Sequence, residues 1–321
     1  MTPVLRLGLQ VPSFTYPGVT NDRLFETVSQ IATTAESSGF DSVFVMDHLF
    51  QLPFVGPPDD AMFESSVILS AIAARTSRVK VGAMVTGVTY RNPAFLAKVV
   101  TSIDVISSGR AILGIGAAWH DVEHEAYGFP FPRPGERLDR LEEAVQICRL
   151  MFTQERPSFE GTYYRIHEAL NSPRPVTPGG PPILIGGGGE RRTLQLVARY
   201  GDASNLFGDA AEVRRKLDIL ERHCAEAGRD PADITKTRLG TLVIGATSEE
   251  AARIGQEMRR TRGLSEEDYA MRALEGDPDT VAEQARVLLD AGLDGLVFNM
   301  PNADSLEHVS LAGRTLAQLF V

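Results

Sequence analysis

Four times along this chain a helical pattern stops at a glycine and a β-like run begins almost at once. The four places are SSGFDSVFV at Gly39, ISSGRAILGI at Gly109, ARYGDASNLF at Gly201 and DAGLDGLVF at Gly292. Glycine fits the left-handed turn that closes a helix, so each marker reads as helix end, cap and strand start. Repeated helix-glycine-strand units bring the chain back to one parallel sheet. Apolar runs predict strands over residues 5–11, 42–46, 79–84, 111–115, 183–185, 203–207, 238–244 and 295–299. Eight strands alternating with helices in 321 residues point to a (β/α)8 barrel, with an open doubly wound sheet as the alternative. Between the strands, stripes such as Leu96, Val99, Val100 and Ile103, or Leu141, Ala144, Val145 and Cys148, recur at helical spacing and should cover the barrel. Two connections are long, 153–182 with a hairpin expected around 159–166, and 261–278; both are expected to shape the active-site mouth. No stretch has linker composition, so residues 1–321 read as one domain.

Composition removes several function classes. The net charge is −10, with no basic footprint, which argues against nucleic acid or an anionic membrane as partner. No apolar run approaches the roughly 20 residues of a membrane helix, and MTPVLRLGLQV lacks a signal-peptide pattern, so a cytoplasmic protein is expected. Cys148 and Cys224 sit in helical patterns among apolar neighbours and read as reduced core thiols.

In such a barrel the chemistry lies at the carboxyl ends of the strands. The predicted strand over 183–185 runs into Gly186, Gly187, Gly188 and Gly189 and then a helical pattern. Glycines before a helix start offer close backbone N–H donors and a positive dipole end, a place that suits a phosphate; a plain glycine turn is the other reading. The stretch lacks the GK[ST] of a nucleotide-hydrolysing loop and the G-x-G-x-x-G of a dinucleotide site. Other strand ends are Asp47-His48, Met84-Val85-Thr86 and GIGAAWHDVEHEAYGF. Histidine changes charge near neutral pH, which suits His48 to proton transfer. Glu123 and Tyr127 lie one helical turn apart and could share a face. His120, Glu123 and His124 also match H-x-x-E-H, a zinc-peptidase pattern, but a zinc site needs a further ligand and none has a suitable spacing, so no metal is expected. His167, His223 and His308 have no partner spacing and receive no role.

Taken together, LRLGLQVP, FDSVFVMDHLF, TYRNPAFLAK, GRAILGIGAAW and ILIGGGGE make the chain resemble the luciferase-like monooxygenase superfamily, and within it the oxidoreductases that use coenzyme F420, a deazaflavin. The resemblance runs to about Phe207. It implies a bacterial-luciferase-like TIM barrel with insertions at the carboxyl-end face, a homodimer, and hydride transfer between F420 and a small organic substrate. An FMN-dependent monooxygenase of the same superfamily and a non-catalytic flavin-binding barrel are the alternatives. By the same resemblance His48 lies beside the reactive ring, the Met84-Val85 bond is a non-proline cis peptide against the flavin face, and Trp119 stands where the sugar-phosphate dehydrogenase branch has a proton-transferring glutamate. The implied catalytic set is His48, Trp119 and Glu123. The implied cofactor contacts are Asp47, Met84, Val85, Thr86, Ala117, Ala118, Gly186, Gly187, Gly188 and Gly189.

Overall fold

A computed structural model describes residues 3–320. Eight parallel strands form its centre: β1 (Leu7–Val11), β2 (Ser42–Val45), β3 (Lys80–Ala83), β4 (Ala111–Gly116), β5 (Ile183–Gly186), β6 (Ala203–Leu206), β7 (Thr235–Ile244) and β8 (Gly295–Asn299). Each pairs with its successor, and β8 pairs with β1 in the register Leu7 to Leu296. That last pairing closes the ring and removes the open-sheet alternative. The closed ring is the predicted barrel, with strand ends shifted by a few residues.

Alternation along each strand explains the two cores. In β1, Leu7, Leu9 and Val11 join the layer under the helices, while Gly8 and Gln10 belong to the barrel interior. The interior is filled by Leu5, Phe44, Ile112, Leu184 and Val297. Phe44 takes space from two sides: a Cβ on Gly8 or Gly82 would lie 3.2 or 3.3 Å from its ring. The outer layer consists of α1 (Leu24–Ser38), α2 (Ser65–Arg75), α3 (Pro93–Ile106), α4 (Asp121–Tyr127), α5 (Pro134–Thr153), α6 (Thr193–Tyr200), α7 (Ala210–Ala227), α8 (Ser248–Arg262), α9 (Glu266–Ala270), α10 (Pro278–Asp290) and α11 (Leu306–Ala317). Helix starts carry the caps their sequences offer: Asn92 accepts from the N–H groups of Ala94 and Phe95 ahead of Pro93, and Asp209 accepts from Glu212 N–H. At the end of α1, Gly39 has φ of 115°, and a Cβ there would lie 2.7 Å from Ala317 on α11. The first marker glycine therefore serves both the turn and the packing of the last helix on the first.

The two long connections behave differently. Phe159–Glu160 and Arg165–Ile166 pair as the expected hairpin, whose turn rests on α5 because the Glu143 carboxylate accepts N–H groups of Thr162, Tyr163 and Tyr164. The chain then passes under the barrel, where Val176 and Thr177 N–H groups donate to Asp104 at the end of α3. None of these residues lines the cavities at the carboxyl ends of the strands, contrary to the expectation for 153–182. The reason is topological: this connection runs from the carboxyl end of α5 to the amino end of the barrel strand β5, at the face opposite the mouth. The second connection does reach the mouth. It contains α9 and a strand absent from the sequence reading, Ala273–Gly276, which pairs in parallel with Thr241 to Ile244 of β7. No helix among the described residues is long and apolar enough to cross a membrane.

Candidate active site

The mouth is a cleft with two lobes that share His48, Met84, Trp119 and Phe207 as a common wall. The first lobe, about 280 Å³, runs from that wall to the glycine loop after β5. The second, about 540 Å³, extends over β7 and the second long connection.

At the wall, β3 breaks off at Ala83 and the Met84-Val85 peptide is cis; the chain resumes pairing with β4 at Thr86–Gly87. The Met84 carbonyl accepts from Gln10 Nε2 at 3.0 Å. Val85 lies against two glycines of neighbouring strands: a Cβ on Gly116 or on Gly186 would come within 2.8 Å of a Val85 methyl. Gly186 is thus glycine because Val85 needs the room, and the loop proper begins at Gly187, where φ is 124°.

His48 follows β2 and is 14% exposed at its side chain, while Glu123 on α4 is 0% exposed. His48 Nδ1 donates to Glu123 Oε2 at 2.7 Å. The same oxygen accepts from Tyr90 hydroxyl at 2.9 Å, and Oε1 accepts from the N–H groups of Leu49 and Phe50. Burial alone would raise the Glu123 carboxyl, but the His48 contact, the Leu49 N–H and the Tyr90 hydroxyl outweigh it and hold the group below the usual carboxylate range. Burial, then the hydrogen bond to Glu123, pushes the Tyr90 phenol well up, so it remains a donor. An ionised carboxylate only accepts, which puts the His48 proton on Nδ1 and leaves Nε2 as an acceptor on the cleft side, with no partner among the described residues.

Asp47, 4% exposed, spends its oxygens on Arg91 at 2.7 and 2.9 Å, Ser65 hydroxyl and Gly87 N–H. It borders the cleft and also fixes the loop that carries Tyr90. Thr86, Ala117 and Ala118 line the first lobe as well, Ala118 with φ of 59°. Trp119, 55% exposed, stands edge-on to His48 at 5.7 Å and stacks with Phe54 at 6.2 Å. The H-x-x-E-H residues do not converge: Glu123 turns to His48, and His124 donates from Nδ1 to the His120 carbonyl and accepts from Thr89 on Nε2. Tyr127 is exposed and outside the cleft, unlike its helical neighbour Glu123.

The glycine loop has a cation that the sequence reading missed. Lys216 on α7 is buried to 8% exposure, a Cβ on Gly188 would lie 2.7 Å from its Nζ, and that Nζ is also paired with Glu212 at 2.7 Å. Thr193, at the first position of α6, closes the other side, with its hydroxyl 2.8 Å from where a Gly189 Cβ would stand. The start of α6 has no side-chain cap; Leu194 N–H donates to the Gly189 carbonyl at 3.0 Å, and the helix start still offers its positive dipole end to a ligand. Loop backbone, helix start, Thr193 and an ammonium group together make an anion cradle at one end of the first lobe. Tyr90 and Lys216 are far from their partners in sequence, and only Tyr90 lies inside a recognisable motif, TYRNPAFLAK.

Comparison with known proteins bears on the family and the fold. The F420-dependent glucose-6-phosphate dehydrogenase of Intrasporangium calvum is 35% identical over 301 residues, spanning 84% of this chain and 87% of its own. The coenzyme F420 dependent tetrahydromethanopterin reductase of Methanopyrus kandleri shares the fold with a TM-score of 0.82 at 18% identity, covering 99% of each chain. A monooxygenase from Streptomyces bottropensis does so with a TM-score of 0.80 at 21% identity, covering 98% of each. The sequence model for the family described as luciferase-like monooxygenase matches residues 6–295, from β1 to the first residue of β8, and the chain belongs to that family.

Proposed function

We propose that this chain is a coenzyme F420-dependent oxidoreductase that moves a hydride between the deazaflavin and a small organic substrate. The observation that carries the reading is the pairing, in one cleft, of a phosphate cradle with a histidine whose free nitrogen is fixed by a buried carboxylate. The named relative at 35% identity supports F420 over FMN, since fold likeness alone extends to monooxygenases.

The cleft fits such a cofactor. Gly187, Gly188, Gly189, Thr193 and Lys216 would hold its phosphate, and Met84, Val85, Ala117 and Ala118 would flank its ring. When bound, a deazaflavin supplies a carbon centre that exchanges hydride as nicotinamide does. The protein's part is then the proton. With an alcohol as substrate and the deazaflavin as the hydride acceptor, His48 Nε2 would take the hydroxyl proton, and Glu123, already ionised, would balance the imidazolium that forms. Reduction of a carbonyl runs the same transfer backwards. Trp119 and Phe54 wall the reacting region from solvent. Trp119 carries no acid, so proton transfer rests on His48.

Titration of the purified chain with F420 and with FMN tests the cofactor. Tighter F420 binding, with turnover that needs no oxygen and falls at least about a hundredfold in His48→Ala, is the expected result. Tight FMN binding with oxygen-dependent substrate oxidation would place the chain with the monooxygenases, and cofactor binding without turnover on any substrate would leave a flavin-binding barrel. A homodimer in the cytoplasm belongs to the same proposal, and sedimentation velocity reads the oligomeric state.

A further inference from the structure

The second lobe is lined by Arg238, Arg262 and Arg272 and by one carboxylate, Glu212, which is already bonded to Lys216 Nζ at 2.7 Å. In a chain with a net charge of −10, three arginines around one cavity without free carboxylates call for a counter-charge. Arg238 shows the demand most sharply. It is 3% exposed and sits on β7, and its acceptors among the described residues are backbone carbonyls: Gly208 on Nε at 3.0 Å, and Met271 and Arg272 on Nη2 at 3.2 Å each. Nη1 is buried with no acceptor among the described residues. The guanidinium lies across Gly240, whose missing Cβ would otherwise stand 1.9 Å from Nη1. Burial pulls the Arg238 group down to about 10, and burial likewise lowers Arg262, which forms no ion pair among the described residues.

We propose that the second lobe receives an anionic group of the substrate, a carboxylate or a phosphate, with Arg238 and Arg262 as its recognition residues. The inference rests on the cofactor reading above for one point, the position of the ring. The glycine cradle belongs only to the first lobe, and the two lobes meet at His48, Met84, Trp119 and Phe207. A cofactor held by its phosphate in the first lobe places its ring at that wall, and the arginines lie beyond the ring. The anion they face therefore comes from a second molecule. Charge-assisted bonds from guanidinium to carboxylate or phosphate suit that task.

The test is calorimetric titration of the F420-loaded chain with inorganic phosphate and with succinate. At least one should bind the parent, and Arg262→Gln and Arg238→Gln should each weaken that binding about tenfold or more while F420 affinity stays within about twofold. Arg238 is buried, so Arg262→Gln decides the matter if the Arg238 variant does not fold. Neither anion binding the parent, or Arg262→Gln binding as the parent does, overturns the inference. Cofactor titrations with F420 and with a deazaflavin phosphate lacking the glutamate tail form the second arm. If Arg262→Gln weakens only the tailed cofactor, the arginines serve that tail and the inference also falls. Failure of the cofactor reading is seen separately, as absence of F420 binding before any anion is added. The anion titration is then made on the cofactor-free chain and judged by the same Arg262 dependence.

Discussion

Glu123 accepts from four donors, the N–H groups of Leu49 and Phe50, the Tyr90 hydroxyl and His48 Nδ1. An amide in its place would turn an N–H₂ toward one of those donors and remove the charge that fixes the His48 proton. Glu123→Gln is expected to lower kcat about a hundredfold or more with little change in cofactor affinity, read by steady-state kinetics beside a fluorescence titration. A pH consequence follows from the lowered carboxyl. Its contribution to stability is present above the ordinary carboxylate pKa and is lost as pH falls through the depressed folded-state value. Acid unfolding of the parent should therefore steepen below about pH 4.3, and the Gln variant should show a shallower slope there in chemical denaturation at several pH values. At the cradle, Gly188→Asp would put a carboxylate beside Lys216 Nζ, where it occupies the place of a phosphate. The expected outcome is a folded chain with cofactor affinity reduced about tenfold or more; unchanged affinity would remove the cradle assignment. His48 and the glycines were legible in the sequence because they stand at strand ends inside compact motifs. Lys216, Tyr90 and Arg238 were not, because their meaning lies in what the barrel brings next to them.

Between elements, the contact that most constrains the site is Val85 of the loop after β3 against Gly116 of β4 and Gly186 of β5. Gly186→Ala should cost about 1–3 kcal/mol through overpacking, measured by thermal or urea unfolding. Val85→Ala in the same chain should restore most of that loss, giving a coupling energy clearly different from zero. Four of the barrel strands were readable from the glycine punctuation, because each cap marks a return to the sheet, and the other four from their apolar runs. Ala273–Gly276 escaped because four residues with two polar neighbours carry no period of their own; the strand exists only because β7 is long enough to pair with it. The 153–182 connection was placed at the mouth from its length, whereas its end of the barrel is decided by what it joins, the carboxyl end of α5 and the amino end of β5.

For the whole molecule the closed ring of strands is the rigid part, and ligands act on the mouth built over it. A ligand that binds only the folded chain at about 100 times its Kd stabilises by about 2.7 kcal/mol. Saturating F420 should therefore raise Tm by several degrees and FMN by less at the same concentration, in a thermal melt followed by circular dichroism. A reversed order would favour the monooxygenase reading. The overhang of β7 has a consequence for how such a protein can change over generations. Residues 235–238 pair with β6 and 237–241 with β8, but 241–244 pair with Ala273–Gly276. That outer seam anchors the carboxyl-terminal end of the segment between α8 and the extra strand, and the segment carries Leu264, Met271 and Arg272 on the rim of the second lobe. About ten positions there can be rewritten by mutation while every hydrogen bond of the ring stays in place, so lineages sharing the barrel and the cradle can part company in what they accept.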